Sequence, residues 1–283
     1  MTSIEISRVR PARTPRRSGP RSTLTRSSGI GLGIAMIWFS ALVLIPLACV
    51  VVTAIDGGWE AFWSAITNGQ TTAAIKLTVF TALGVTAVNV VMGPLIAWVL
   101  VRDRFWGKSV LEVLIDIPFA LPTIVAGLVL LSLYGNADSP LGVDIANSRP
   151  AVFLAFLFVT LPFVVRMVQP VLEELDQDVE EAAASLGASR FTTFRRVVLP
   201  SLAPAIAAGA ALSFARGVSE YGSLVLLSGN LPFQTEVTSV RILSSIENDN
   251  VAAAAAVATV LLMISLAVIV LLDVIQRRVA ARG

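Results

Sequence analysis

Few side chains in this sequence could do chemistry. The 283 residues hold no histidine and one cysteine, Cys49. Zinc-protease His pairs, Cys-His couples and Ser-His-Asp triads are therefore excluded, and so is an intramolecular disulfide. No metal site and no catalytic residue is expected. Gly107-Lys108-Ser109 comes nearest to a phosphate-binding loop, but such a loop needs a glycine where Arg102 stands. A Ser-Lys nucleophile would have to use Lys76, the one lysine within an apolar stretch, placed near its outer edge. What remains is a charge pair, Arg216 and Glu220, four apart within one apolar run and beside Tyr221. That spacing puts both charges on one helix face. Two readings fit: a pair that makes both charges tolerable in a membrane, or a gate or pathway element that includes Tyr221.

The elements that hold these residues are set by the apolar residues. Hydrophobic residues make up 55% of the chain, charged residues 14%, and mean hydropathy is +0.81. Runs at 30–55, 77–101, 117–137, 150–172, 201–228 and 250–272 are each near the roughly 20 residues needed to cross a bilayer. The reading is an all-α integral membrane protein with six transmembrane helices. Pro118 and Pro122 in the third run and Pro162 in the fourth should kink or break their helices and free backbone groups. Gly209, Gly217 and Gly222 suit close helix packing, or hinges.

The chain divides into a basic, disordered tail (1–28), a first span with an outer loop (29–69), a transmembrane domain (70–275) with a long internal loop at 173–200, and a short second tail (276–283). The 26-residue first run is too long for a signal-peptide core, so it reads as an uncleaved span. With both termini cytoplasmic, the inner segments hold sixteen of the 21 basic residues: seven arginines in the first tail, then Arg102, Arg104, Lys108, Arg190, Arg195, Arg196, Arg277, Arg278 and Arg282. That asymmetry is the one expected of inner loops. Lys76 and Arg166 fall near span ends, where long side chains reach the headgroups. Glu112 and Asp116 start the third span, with Lys108 positioned to pair with Glu112.

The inner loop contains EEAAASLGASRFTTFRRVVLP at 180–200. Asp178 as N-cap with Glu181 three residues on forms a capping box, and Glu180 and Glu181 favour the positive end of the helix dipole. Val179, Ala182, Ala183 and Leu186 make one apolar stripe, and Gly187 suits the left-handed residue that ends a helix. A second short helix follows from Ser189, with Phe191, Phe194 and Val198 on one side and Pro200 closing it. On periodicity alone the segment is either an amphipathic connector over the span ends or a helix made to be docked.

The spacing adds a resemblance. Glu181-Ala182-Ala183, Gly187, and Val197-x-Leu199-Pro200 resemble the EAA signature of ABC importer permease subunits, with Val where Ile is frequent. The resemblance implies the type I importer permease fold and a cytoplasmic coupling helix, with Glu180, Glu181, Ala182, Ala183, Leu186, Gly187, Leu199 and Pro200 at the ATPase contact. It also implies the partners: a cytoplasmic ABC ATPase dimer carrying ATP and Mg, a second permease subunit, an extracytoplasmic binding protein and the lipid of the plasma membrane. No cofactor on this chain and no nucleic acid are expected. Residues 116–123 (DIPFALPT) and 219–236 (SEYGSLVLLSGNLPFQTE) resemble the sulfate and thiosulfate permeases of the T (or U) kind. Ser219 departs from the glycine usual there. Molybdate permeases share the Glu-aromatic-Gly and Gly-Asn elements, here Glu220-Tyr221-Gly222 and Gly229-Asn230, and stay open as an alternative. An ion-coupled secondary transporter is the more distant rival, with no clear repeat and only Glu220 as an acid at depth.

Overall fold

Long uncharged runs leave the backbone one way to satisfy its own hydrogen bonds in an apolar medium, the helix. The computed structural model describes residues 26–135 and 139–280, and among them β-structure is confined to one isolated bridge, Gly135 to Asp144. The chain forms two units, residues 1–48 and 49–283. The first contains helix α1 (Arg26–Phe39) and a π-helical turn at Ser40–Leu44, and α2 (Ile45–Asp56) carries the chain into the second. The arginine-rich tail lies outside the described residues except for Arg26–Ser28, which open α1, and residues 281–283 of the second tail lie outside them too.

In the second unit α3 (Gly58–Thr67) takes up most of what was expected to be an outer loop, and α4 (Gly69–Arg102) follows. Next come α5 (Lys108–Ala120), α6 (Thr123–Tyr134) and α7 (Arg149–Glu174). After α8 (Gln177–Ser185), α9 (Arg190–Thr193) runs through a π-helical turn at Phe194–Val198 into α10 (Leu199–Val218). The chain ends with α11 (Gly222–Leu227), α12 (Thr238–Glu247) and α13 (Val251–Ala280).

Five helices among the described residues are long and apolar enough to cross a membrane: Gly29–Asp56, Gly69–Arg102, Arg149–Glu174, Arg190–Val218 and Val251–Arg278. The expected third span is instead two helices, α5 and α6. Leu121 between them is extended, as steric conflict with the following Pro122 requires. Pro118 lies inside α5, and Pro162 and Pro170 inside an α7 that stays helical throughout. The expected fifth span also moves, starting at Arg190 and stopping at Val218. Pro200 does not close the preceding helix. The π-helical turn ends two residues before it, widening the helix where a proline ring would meet the preceding turn, and Leu199 N–H bonds to Phe194 C=O. The turn at Ser40–Leu44 precedes Pro46 in the same register.

The core is α7 flanked by α4 and α10. One apolar cluster gathers Val85, Phe156, Phe214 and Leu224, and the other Leu100, Val165, Leu172 and Leu202. Between them in sequence on all three helices lies a buried polar layer, in which Asn89 Nδ2 donates to Thr160 Oγ1 at 2.8 Å and Ser213 Oγ at 3.0 Å. Val164 of α7 is pressed between two glycines: a Cβ on Gly93 would come within 2.6 Å of its side chain, and one on Gly209 within 2.9 Å of its Cα. Gly209 thus serves close packing. Gly217 does not need to be glycine, because a Cβ there would meet its neighbours at 3.6 Å.

Candidate functional site

The inner-loop segment forms a helix, but its cap is not the expected one. Only Leu175 and Asp176 separate α7 from α8, so Asp176 is the first side chain free to accept: its Oδ1 takes the Asp178 N–H at 3.1 Å. Asp178 sits in the first turn with Glu180, where the helix dipole favours negative charge. The far end matches the expected stop. Gly187 has φ +85°, Ala188 N–H bonds to Ala183 C=O at 3.0 Å, and Gly187 N–H to Ala184 C=O at 2.9 Å, a Schellman closure. Val179, Ala182 and Leu186 are exposed along one side, with Ala183 half-buried. An apolar stripe on an exposed two-turn helix is a surface without its cover.

One residue counted only as a loop charge, Arg102, ties this helix to the bundle. From the end of α4 it contacts Glu180 Oε1 at 2.7 Å, donates to Leu175 C=O at 2.9 Å, and lies 5.9 Å from the centre of the Trp98 ring. A cleft of about 440 Å³ opens there, lined by Trp98, Arg102, Glu180, Glu181, Arg190 and Phe194. The pair joins the first turn of α8 to a spanning helix, so α8 is tied to α4 by more than its own linkers. Leu199 and Pro200 lie elsewhere, in an apolar groove shared with Arg195, Ile206, Leu272 and Ile275.

The second candidate is the corner between α10 and α11. Glu220 lies just past the end of α10, not on it, yet Glu220 N–H still bonds to Gly217 C=O, and this tightened last turn preserves the i, i+4 relation. Arg216 Nη2 stands 2.7 Å from Glu220 Oε2. The Glu220 side chain is 1% exposed, and its Oε1 accepts both the N–H of Ser223 at 2.9 Å and its hydroxyl at 2.8 Å. The carboxylate thus caps α11 and neutralises Arg216 at once. Ser239 Oγ adds a bond to the Glu220 carbonyl at 2.7 Å. The arrangement favours the structural reading of the pair over a gating one, since Glu220 is enclosed by its own corner. Tyr221 remains exposed.

Helix α11 turns back against α6. A Cβ on Gly127 would lie 2.6 Å from Ser223 O and 2.8 Å from its Cα, and one on Gly222 would meet Thr123 Oγ1. The two stretches that resemble one permease family, 116–123 and 219–236, are therefore brought together. The rest of 219–236 is pinned from three sides. Gln70 Nε2 donates to Glu236 Oε2 at 2.7 Å, Arg149 Nε to Gln234 C=O at 3.2 Å, and Asn147 N–H to Leu227 C=O at 3.0 Å.

Arg166 has a partner that its expected place near a span end did not indicate. Its place in α7, about 25 Å from the helix start at 1.5 Å per residue, is about 7 Å beyond the helix midpoint and not near its end. Its guanidinium is engaged by another helix: Nε donates to Asp116 Oδ1 at 2.8 Å and Nη2 approaches Asp116 Oδ2. Asp116 therefore pairs across helices, and no Lys108–Glu112 ion pair forms among the described residues. The polar spacing of Arg166, Gln169 and Glu173, at i, i+3 and i+7 in an otherwise apolar helix, was the signal that could have revealed this. No comparable signal marks Asn89, a single amide among apolar residues.

Comparison with known proteins supplies the context. Residues 89–282 match the family described as the binding-protein-dependent transport system inner membrane component. The sulfate transport system permease protein CysT of Synechocystis is 41% identical over 273 residues, covering 94% of this chain and 96% of the relative. That of Escherichia coli K12 is 40% identical over 259 residues, covering 89% and 94%. Among solved structures, a bacterial ABC transporter for import of the acidic polysaccharide alginate superposes with a TM-score of 0.72 at 18% identity, over 88% of this chain and 94% of the other. The same kind of transporter in complex with an alginate pentasaccharide-bound periplasmic protein gives 0.73 at 17% identity, over 89% and 94%.

Proposed function

We infer, from the premise that this chain belongs to the binding-protein-dependent transport system inner membrane components and carries the type I ABC importer permease fold, that its cargo is sulfate. It is a multi-pass permease subunit of a sulfate ABC importer. The observation that carries the substrate is the 41% identity to a sulfate permease across nearly the full length of both chains. Thiosulfate is included as a second cargo, being a divalent oxyanion of similar size and charge.

Exposed α8, with Glu180, Glu181, Ala182, Ala183, Leu186 and Gly187, is the surface against which a separate cytoplasmic ATPase dimer docks. ATP and Mg bind that partner. Leu199 and Pro200 serve less directly, by starting the spanning helix that α8 and α9 lead into. The α8 end of the bundle faces the cytoplasm, a second and different permease chain completes the pathway, and an extracytoplasmic sulfate-binding protein delivers the anion. A permease of this kind need not offer the anion a cation, because helix N-termini and backbone amides can replace its hydration.

Deletion of the gene tests the cargo. In a strain without another sulfate importer, growth should persist on methionine and fail on sulfate or thiosulfate as sole sulfur source. Normal sulfate uptake alongside lost molybdate uptake would transfer the assignment to molybdate.

A further inference from the structure

The Arg166–Asp116 pair joins α7 to α5 about two helical turns before the end of α7 without being buried: its side chains are 30% and 49% exposed. A charged pair that faces neither protein nor another partner is far better tolerated against water than against lipid. The pair also continues toward the α8 end of the bundle. Arg166 Nη1 donates to Gln169 Oε1 at 2.6 Å, and Gln169 Nε2 to Glu173 Oε1 at 2.9 Å, while Arg166 Nη2 reaches the Glu112 carbonyl at 3.2 Å. Glu112 shares a face of α5 with Asp116, four residues on. A structural ion pair needs no such ladder to the helix end. On the other side of the pair stand Phe119 and Phe163, edge to face at 4.9 Å, where the polar strip stops.

We propose, resting on the transport reading above, that the α5–α7 strip of Glu112, Asp116, Arg166, Gln169 and Glu173 lines the water-filled inner exit for the oxyanion. Phe119 and Phe163 form its apolar constriction, and Arg166 is the last cationic contact before release. Asp116 keeps Arg166 occupied, so an arriving anion competes for the guanidinium and holds it weakly. Glu112 and Glu173, below the pair, keep the anion from binding at the mouth, so it is not trapped there. Aromatic constrictions that open by wetting, followed by weak polar contacts, allow passage without trapping.

Cysteine accessibility in the assembled transporter tests this, since Cys49→Ser removes this chain's one native thiol and the same complex without an added cysteine gives the background. In inside-out vesicles without nucleotide, Gln169→Cys should react with a charged methanethiosulfonate at least about tenfold faster than Leu114→Cys, on the opposite face of α5, because the reactive thiolate forms only in water. Added sulfate should slow the Gln169→Cys reaction several-fold. Equal rates at the two positions would overturn the proposal and mean that a second subunit or lipid covers the strip. Fast labelling slowed by molybdate and not by sulfate would uphold the exit and refute the sulfate reading instead. In right-side-out vesicles, Asp116→Asn, which frees Arg166, should lower maximal uptake several-fold with KM unchanged and make uptake sensitive to sulfate preloaded inside, on the cytoplasmic face. Unchanged maximal uptake in a complex of normal abundance would remove Arg166 from the path.

Discussion

A carboxylate enclosed in an apolar bundle is tolerable only where its partners are built around it, and Glu220 has three: the Arg216 guanidinium and the N–H and hydroxyl of Ser223. Removing one member of a buried pair strands the other, typically at a cost of about 3–5 kcal/mol, here toward the lower end because Arg216 is 27% exposed. Glu220→Ala and Arg216→Ala should each lower the melting temperature of the purified complex more than the double substitution does. Additive losses would show that the two act separately. Gly127 makes a second test at this scale. Its missing Cβ leaves room for the Ser223 backbone, which cannot yield as a flexible side chain would, so Gly127→Ala should cost about 1–3 kcal/mol. An unchanged melting temperature would show that α11 can shift away from α6.

Each helix was legible where one physical rule governed it. Apolar runs located the helices of four of the six expected spans, and Gly187 fixed the end of α8 because an L-residue in the left-handed region costs about 1–2 kcal/mol. What misled were places where two rules compete. Asp176 and Asp178 can both cap, and the two-residue link from α7 decides for the earlier one. Pro200 ought to end a helix, but a π-helical turn absorbs it. The run at 201–228 is apolar throughout, yet Glu220 finds its bonds only if the chain turns at Ser219. The partners of Arg166 and Arg102 were hidden because both lie on other helices, far away in sequence. For α8 the consequence is testable. Gly187→Pro cannot adopt φ +85°, and Ala183→Arg puts a long charged side chain on the small-residue stripe. Both variants should reach the membrane in normal amounts and lose uptake and association with the ATPase. Normal co-purification of the ATPase with both would remove α8 from the contact.

At the scale of the whole second unit, charge is sorted between the two ends of the bundle. Arg102 meets Glu180 at one end, and Arg195 lines the same groove as Gln276, so the loops bearing Arg104, Lys108, Arg190, Arg196 and Arg277 gather there with α8. The other end offers exposed Lys76 together with Arg149 and Arg241, these two engaged by their neighbours, Arg149 with the Gln234 carbonyl and Arg241 with Thr71 Oγ1 at 3.4 Å. Basic residues in short loops stay on the cytoplasmic side during insertion, so the proposed orientation, with α8 inside, is the one this sorting predicts. In that orientation the pinned 219–236 segment would lie toward the outer side and the Arg166 strip toward the inner one. Reporter fusions after residues 65, 105, 142, 185, 240 and 280 should therefore read out, in, out, in, out, in. The fusions at 105 and 142 are the most informative, because the broken pair α5 and α6 must together complete one crossing between them. If those two report the same side, α5 and α6 form a re-entrant loop, both termini cannot be cytoplasmic, and the inner placement of the Arg166 strip falls with them.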